Sequence, residues 1–285
     1  MSARAAEAEA FGRRIRGPSA LGGDWGRFLH LTWTLAVTEF KLRFFGSALG
    51  YLWQLMRPLM LFGVLYLVFT EFVRIGQQAP HFAVVLLLAI VTFTFFAEAT
   101  GGAVSSLVDR ENLVRKIHFP RMVVPLAVVL TAYFNLLLNL VAVAVFAVAQ
   151  GIEPRLSWLE YPLLLLALGA WAVGLSMLLS ALYVRFRDVK PIWEVVVQAV
   201  FYASPVIYPI EQIPNKAWTP YVMCNPLAAI LEQGRHAVVD PSAMSAADAI
   251  GDPVRLLIPG GIVLVSIALG FWLFNREAPR IAEQL

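Results

Sequence analysis

Apolar side chains in this chain come in long runs separated by short charged segments. A helix needs about 20 predominantly apolar residues to cross the hydrocarbon core of a bilayer. Six stretches approach or exceed that length: residues 51–73, 82–108, 122–150, 161–184, 191–210 and 255–275. Arg57 and Glu71 lie near the two ends of the first, and Glu98 is the one charge well inside the second. The third and fourth carry none. The fifth is the least regular: its uninterrupted part is Val195 to Ile210, with Glu194 at its entrance and Pro205 and Pro209 near its end. The pattern predicts an all-α polytopic membrane protein with six transmembrane helices.

Three other stretches are neither span nor simple loop. In residues 27–45, Arg27, His30, Thr34, Thr38 and Lys41 recur at helical spacing, and Leu29, Trp33, Ala36, Phe40 and Phe44 form an apolar stripe. This is an amphipathic helix suited to the cytoplasmic membrane interface. The segment D-R-E-N-L-V-R-K-I-H-F-P-R at 109–121 is charged. Asp109 is placed to cap a short helix there, with Arg115 and Lys116 near its C-terminal end, where cations suit the helix dipole, and Pro120 to stop it. Residues 211–253 are too polar to span and too apolar for a free loop. Non-helical backbone at membrane depth survives only where protein or water covers it. A re-entrant region over 211–240 on the outer side is the economical reading, a plain outer loop the alternative, and it includes a helix from Pro226 to Val239 with Asn225 as N-cap and Pro226 at its first position.

Composition agrees with a bilayer. Of the 285 residues, 59% are hydrophobic and 14% charged, against about 25% charged in soluble domains. The net charge of +3 reflects basic residues flanking spans and not a nucleic-acid partner. With the N-terminus inside, 17 of the 22 Lys and Arg fall on inner segments, so the positive-inside rule places both termini in the cytoplasm. Residues 1–26 read as a flexible, Arg-rich cytoplasmic N-terminus without a signal-peptide pattern, 27–275 as a single transmembrane domain, and 276–285 as a cytoplasmic tail. The lone Cys224 rules out an intrachain disulfide.

The chain lacks the residues of an enzyme. None of its four lysines is followed by Ser or Thr, so there is no Walker A loop, and neither H-E-x-x-H nor G-x-S-x-G occurs. No catalytic residue, metal site or cofactor is expected. Glu98 inside a span costs about 2.5–3.5 kcal/mol. It either faces a gate or channel, or hydrogen-bonds across helices to Asn135 or Asn139, which share a face. Phe62, Tyr66, Phe69 and Phe72 recur along one face of the first stretch, and Phe201, Tyr202, Tyr208, Trp218 and Tyr221 cluster around the broken fifth. Such aromatics either anchor at the interface or line a conduit whose rings receive sugar C–H faces. Small residues at Gly46–Gly50 fit a close helix contact.

Taken in order, the motifs resemble the membrane subunits of ABC-2 type polysaccharide exporters, the O-antigen and teichoic acid permeases. The likeness runs from about Arg27 to Phe274 and rests on G-S-A-L-G-Y-L-W-Q-L-M-R-P-L at 46–59, N-L-V-R-K-I-H-F-P-R at 112–121, R-F-R-D-V at 185–189, S-P-V-I-Y-P at 204–209 and N-P-L-A at 225–228. The resemblance implies a homodimer in the bacterial inner membrane, exporting a lipid-linked glycan. It also implies a separate cytoplasmic ATPase, in two copies, that carries ATP and Mg. Residues 109–118 become a coupling helix. Asp109, Glu111, Asn112, Leu113, Arg115, Lys116, His118, Arg185, Arg187 and Asp188 become ATPase-coupling candidates, and Phe62, Tyr66, Phe69, Glu98, Tyr202, Tyr208, Trp218 and Tyr221 candidates for the path or gate. Competing readings are an ABC-2 permease for a lipid or drug, and a secondary carrier or channel.

Overall fold

The structure is a computed structural model, and it describes residues 25–44, 50, 52–74, 80–116 and 120–278, without the side chains of 44 and 114–116. The described residues are helical with no strand. Helix α1 is Trp25–Phe44 and α2 is Leu52–Leu67, which runs on through a π-helical turn, Val68–Phe72. Then come α3, Phe82–Val104, two short pieces, α4, Ser106–Asp109, and α5, Glu111–Lys116, and α6, Val123–Ala149. A 3-10 turn, Leu156–Leu159, leads into α7, Glu160–Arg185, and α8 is Val189–Ala203. The segment between α8 and the last helix holds α9, Thr219–Met223, α10, Pro226–Gly234, a second π-helical turn, Arg235–Val239, and α11, Ala246–Ile250. The last helix, α12, is Leu257–Glu277.

Among the described residues, five helical stretches are long and apolar enough to cross a membrane: Leu52–Phe72, Phe82–Val104, Val123–Ala149, Leu156–Arg185 and Pro253–Glu277. They correspond to all but the fifth of the expected six. That one forms α8, with 15 residues, or about 22 Å at 1.5 Å per residue. It ends at Ser204 and Pro205, where proline removes a backbone donor and biases its predecessor away from helix; Ser204 is extended, with ψ 153.

Helix α3 is the centre of the bundle. Of its most apolar window, 67% is buried, and it packs on α6, α7, α2 and α8. Phe95 and Phe96 are buried on it; Phe95 meets Tyr133 of α6 at 4.5 Å, and Phe96 stacks on Trp171 of α7 at 4.7 Å. By contrast only Gln54 and Pro58 are buried on α2. Helix α1 lies along α6, burying Phe28, Thr32 and Ala36 and leaving Trp25, Leu29 and Trp33 exposed. Its outward face is therefore both apolar and polar.

Helix α12 is attached mainly to α7, through two glycines. A Cβ on Gly270 would stand 2.1 Å from the carbonyl oxygen of Gly174, and one on Gly174 would stand 2.7 Å from the backbone nitrogen of Ile267. Small residues let helix backbones approach closely in lipid, and here backbone meets backbone with no side chain able to give way. Gly270→Leu should destabilise the fold by about 3 kcal/mol, the upper end of ordinary overpacking. The check is detergent-solubilised thermal unfolding, with Gly261→Leu, where a Cβ meets nothing within 4 Å, as the silent control.

Candidate functional site

The charged segment after α3 is two helical pieces, not one. Arg110, at φ −113 and ψ 31, breaks the helix between α4 and α5. Asp109 closes α4 and accepts a hydrogen bond from Ser105 Oγ at 2.8 Å. It therefore serves the preceding turn and does not cap the following one. Glu111 is half-buried, Asn112 exposed, and Leu113 packs on an inner cluster with Phe28, Leu107, Met122 and Phe274. Arg115 and Lys116 belong to α5, their side chains lying outside the described residues, as does all of His118. The Gly46–Gly50 run lies outside them too, apart from Gly50. Arg185 ends α7 with its guanidinium 5.3 Å from the Phe186 ring; Arg187 sits over Tyr183 at 5.1 Å, and exposed Asp188 precedes α8.

Between α1 and this segment lies a groove of about 240 Å³, lined by Arg27, Leu31, Thr34, Leu35, Thr38, Leu113 and Val123. One wall is the polar stripe of α1 and another is α5. An ion pair joins the same two parts: Arg110 reaches Glu39 of α1.

Four residues farther along α1, Arg43 stands 3.8 Å from Glu98 of α3. Glu98 also accepts from Asn135 Nδ2 of α6 at 2.8 Å, and Gln54 Nε2 of α2 is 3.5 Å away. Asn139 Nδ2 donates to the backbone oxygen of Asn135 at 2.8 Å. The carboxylate thus makes the interhelical hydrogen bond to Asn135 and gathers polar groups from α1, α2 and α6. The contacts of Gln54 and Arg43 were not foreseen from the sequence. They lie 44 and 55 positions from Glu98, and no periodic pattern reports so distant a pairing.

The aromatic candidates fall into two sets. On α2, Phe62 and Phe69 are half-buried on the core, and Phe62 stacks on Tyr66 at 5.6 Å and meets Phe146 of α6 edge-on at 5.7 Å. Tyr66 continues the stack to Phe82 at 6.4 Å and is 38% exposed. Phe72 is exposed. The row is thus divided between internal packing and an open side. In the second set, Tyr202 is exposed at the end of α8, and its backbone oxygen accepts from Tyr208 Oη at 3.3 Å. Trp218 and Tyr221, 5.8 Å apart, are exposed on the segment that follows α8. The two sets flank α3, since α2 packs on α3 and α6, and α8 on α3 and α7.

The segment between α8 and α12 is tied down by polar contacts. Asn225 Oδ1 caps α10 by accepting from the Leu227 N–H at 3.0 Å, and its Nδ2 donates to Ser204 Oγ at 2.8 Å, joining α10 to the end of α8. Buried Arg235 donates to Glu211 at 2.7 Å and to Glu232 at 3.2 Å. Burial pushes the Glu232 carboxyl up to about 7; Arg235 opposes this, and the charge of Glu211 adds to it. Burial is the largest influence on Glu211 and pushes it up, but the hydrogen bond and charge of Arg235 and backbone hydrogen bonds together outweigh it and hold the carboxyl below the ordinary value. Two carboxylates sharing one guanidinium leave an excess negative charge in a dry place. The i, i+3 spacing of Glu232 and Arg235 was the available signal for half of this triad.

An acid whose folded pKa lies above its unfolded value is destabilising once ionised. Glu232 therefore predicts a melting temperature that falls as pH rises from about 4.5 to about 7 and then levels. Glu211 acts in the opposite sense, below that window. Melting of the detergent-purified protein between pH 5 and 8 should show the fall, and Glu232→Gln should flatten it. A slope unchanged by Glu232→Gln would assign the fall to other groups.

Comparison with known proteins gives these features a setting. The profile of the ABC-2 type transporter family matches residues 30–239. Over 245 residues the chain is 30% identical to the O-antigen export system permease protein RfbA of Myxococcus xanthus, covering 86% of this chain and 92% of that protein. Its identity to the RfbA protein of Klebsiella pneumoniae is 28%, over 87% of this chain and 92% of that one. With the polysialic acid transport protein KpsM of Escherichia coli it is 22%, over 85% and 92%. The family match covers most of the chain, from within α1 to the end of the second π-helical turn, and takes in four of the five long apolar stretches and the charged segment, while α11 and α12 lie beyond it. The chain is a multi-pass membrane protein belonging to the ABC-2 type transporter family.

Proposed function

We propose that the chain is the membrane subunit of an ATP-driven exporter that carries a lipid-linked polysaccharide across the bacterial inner membrane. The observation that carries this reading is the likeness to O-antigen export permeases over nearly their whole length. Two copies of the chain form the permease, and two copies of a separate cytoplasmic ATPase supply ATP and Mg. Both termini are cytoplasmic. The sixth crossing is made by α8 together with the irregular Ser204–Ile210 stretch, and α9 to α11 form the outer, re-entrant region.

In this reading α4 and α5 dock on the ATPase, with Leu113, Arg115 and Lys116 at the contact and Arg185, Arg187 and Asp188 on the neighbouring loop. The groove beside Leu113 supports it: an apolar recess between α1 and α5, rimmed by Arg27 and threonines, is a surface that a partner helix fits. Motion of α5 passes through the Arg110–Glu39 pair to α1, and from Arg43 to Glu98 and Gln54, where α2 is held. The path runs beside α2 and α8, with Tyr66, Tyr202, Tyr208, Trp218 and Tyr221 offering rings and hydroxyls to passing sugars. Each contact is weak, and a tightly held chain would not advance.

Co-expression with the ATPase encoded beside the gene, followed by purification on a tag carried by this chain, tests the assignment. The expected product is a complex of two permease and two ATPase chains with ATPase activity. Leu113→Asp should weaken that complex at least tenfold. Tyr66→Ala with Tyr202→Ala should slow surface display of polysaccharide several-fold while the complex still assembles. A chain that transports in vesicles without nucleotide would overturn the proposal in favour of a carrier. A stable complex that exports lipid or drug but no glycan would keep the motor and overturn the substrate.

A further inference from the structure

Helix α8 carries a polar row of which the aromatic path includes only the last member, Tyr202. Lys190, Glu194, Gln198 and Tyr202 follow one another at steps of four, about 6 Å apart along the axis. All four are exposed, and among the described residues the side chains of Lys190, Glu194 and Gln198 make no hydrogen bond or ion pair. The helix is otherwise apolar and is fixed by its other side. Trp193 Nε1 donates to Thr100 Oγ1 of α3 at 3.1 Å, and Phe201 meets Phe93 of α3 at 4.8 Å. The row begins at the end that follows the basic loop Arg185–Asp188 and finishes at Tyr202, beside the outer-segment contacts of Tyr208 and Asn225.

An ammonium, a carboxylate and an amide in register along a helix in a membrane face protein or water and not acyl chains. A dry seam with a second copy fits them poorly. In a two-fold dimer the axis is normal to the bilayer, so each copy presents the same residue at the same depth. Glu194 would then oppose Glu194 and Lys190 would oppose Lys190 where water is excluded, which is repulsive. A wet passage removes that conflict. A carboxylate accepts, an ammonium donates, and an amide and a phenol each do both, which is the mixed set that a hydroxyl-rich chain can use at every orientation.

We infer that Lys190, Glu194, Gln198 and Tyr202 form a hydrogen-bonding ladder along the water-filled path, and that it contacts the hydroxyls of the moving polysaccharide. This rests on the export reading above and adds Lys190, Glu194 and Gln198 to its path.

The test uses the full chain with its ATPase, in a Cys224→Ala background. Glu194→Cys, Gln198→Cys and, as a lipid-facing control, Leu264→Cys on exposed α12 are treated in native membranes with a charged, water-soluble methanethiosulfonate. Export is read separately as surface polysaccharide in the host. Glu194→Cys and Gln198→Cys should label at least tenfold faster than Leu264→Cys. Gln198→Leu, which keeps size and removes hydrogen bonding, should lower export about fivefold at unchanged complex yield, while Gln198→Asn retains most of it. Cysteines as slow as Leu264→Cys would place the row against lipid and overturn the inference. Disulfides between copies in place of labelling would show a dry seam and also overturn it. Fast labelling with undiminished export by Gln198→Leu would make the row wet but not a contact of the polymer, again overturning it. If the unmodified chain neither binds the ATPase nor exports, the functional assignment fails on its own, while the labelling rates still report whether the row is wet.

Discussion

The burial of α3 is the constraint on which the rest of this structure depends. An apolar helix in a bilayer gains nothing from merely leaving water a second time; its neighbours hold it by close packing and by the few polar groups that find one another. Here Phe95 and Phe96 interlock with Tyr133 and Trp171, making α3, α6 and α7 a tight core. The same helix bears Glu98, so the element that is least free to move also presents the charge to which α1, α2 and α6 send polar side chains. Rigidity and electrostatic centre coincide.

Around that core the polar contacts follow a division by depth. On one side Arg110 and Glu39 join the short charged helices to α1. At the other end Asn225, Ser204, Arg235, Glu211 and Glu232 tie α10 to the end of α8 and to the loop after it. Between these levels α8 and α2 rest on α3 from either side with much of their surface open. The charged segment and the segment between α8 and α12 are thus each fastened to the helices that flank the open faces, which is the arrangement a transport subunit needs if events on one side are to be felt on the other.

Much of the architecture was legible because hydrophobic length is a strong signal in a membrane chain. The charge-free runs of α6 and α7 leave little alternative to spanning helices. Asn225 followed by Pro226 carries a local cap mechanism that does not depend on tertiary context, and α10 begins there. The Glu98–Asn135 bond was one of two readings because a buried carboxylate needs a donor and Asn135 lay on an uncharged helix. Other features had no such local cause. Asp109 looked like a cap because it opens a charged stretch, yet Ser105, four residues earlier, competes for it. The crossing of Gly174 with Gly270 joins positions almost a hundred residues apart, and neither glycine differs in sequence terms from the unconstrained Gly260 or Gly261. The short α8 reflects Pro205, whose effect on length was visible, whereas the exposure of its polar row depended on which side packs against α3.

The loose seating of α2 carries a mechanical consequence. In water, peeling a helix off a core would expose apolar surface at a cost proportional to its area. In a bilayer the vacated surface is wetted by acyl chains, so the area term nearly vanishes. What resists displacement of α2 is then local: the long Gln54–Glu98 contact, the buried ring of Pro58 and the aromatic contacts of Phe62 on Phe146 and of Tyr66 on Phe82. Pro58 also deletes one rung of the helix's own hydrogen-bond ladder, one turn beyond Gln54. The subunit therefore has a stiff pillar and a compliant leaf hinged beside it, and the force needed to bend the leaf is set by a few side chains, not by the extent of the surface it covers.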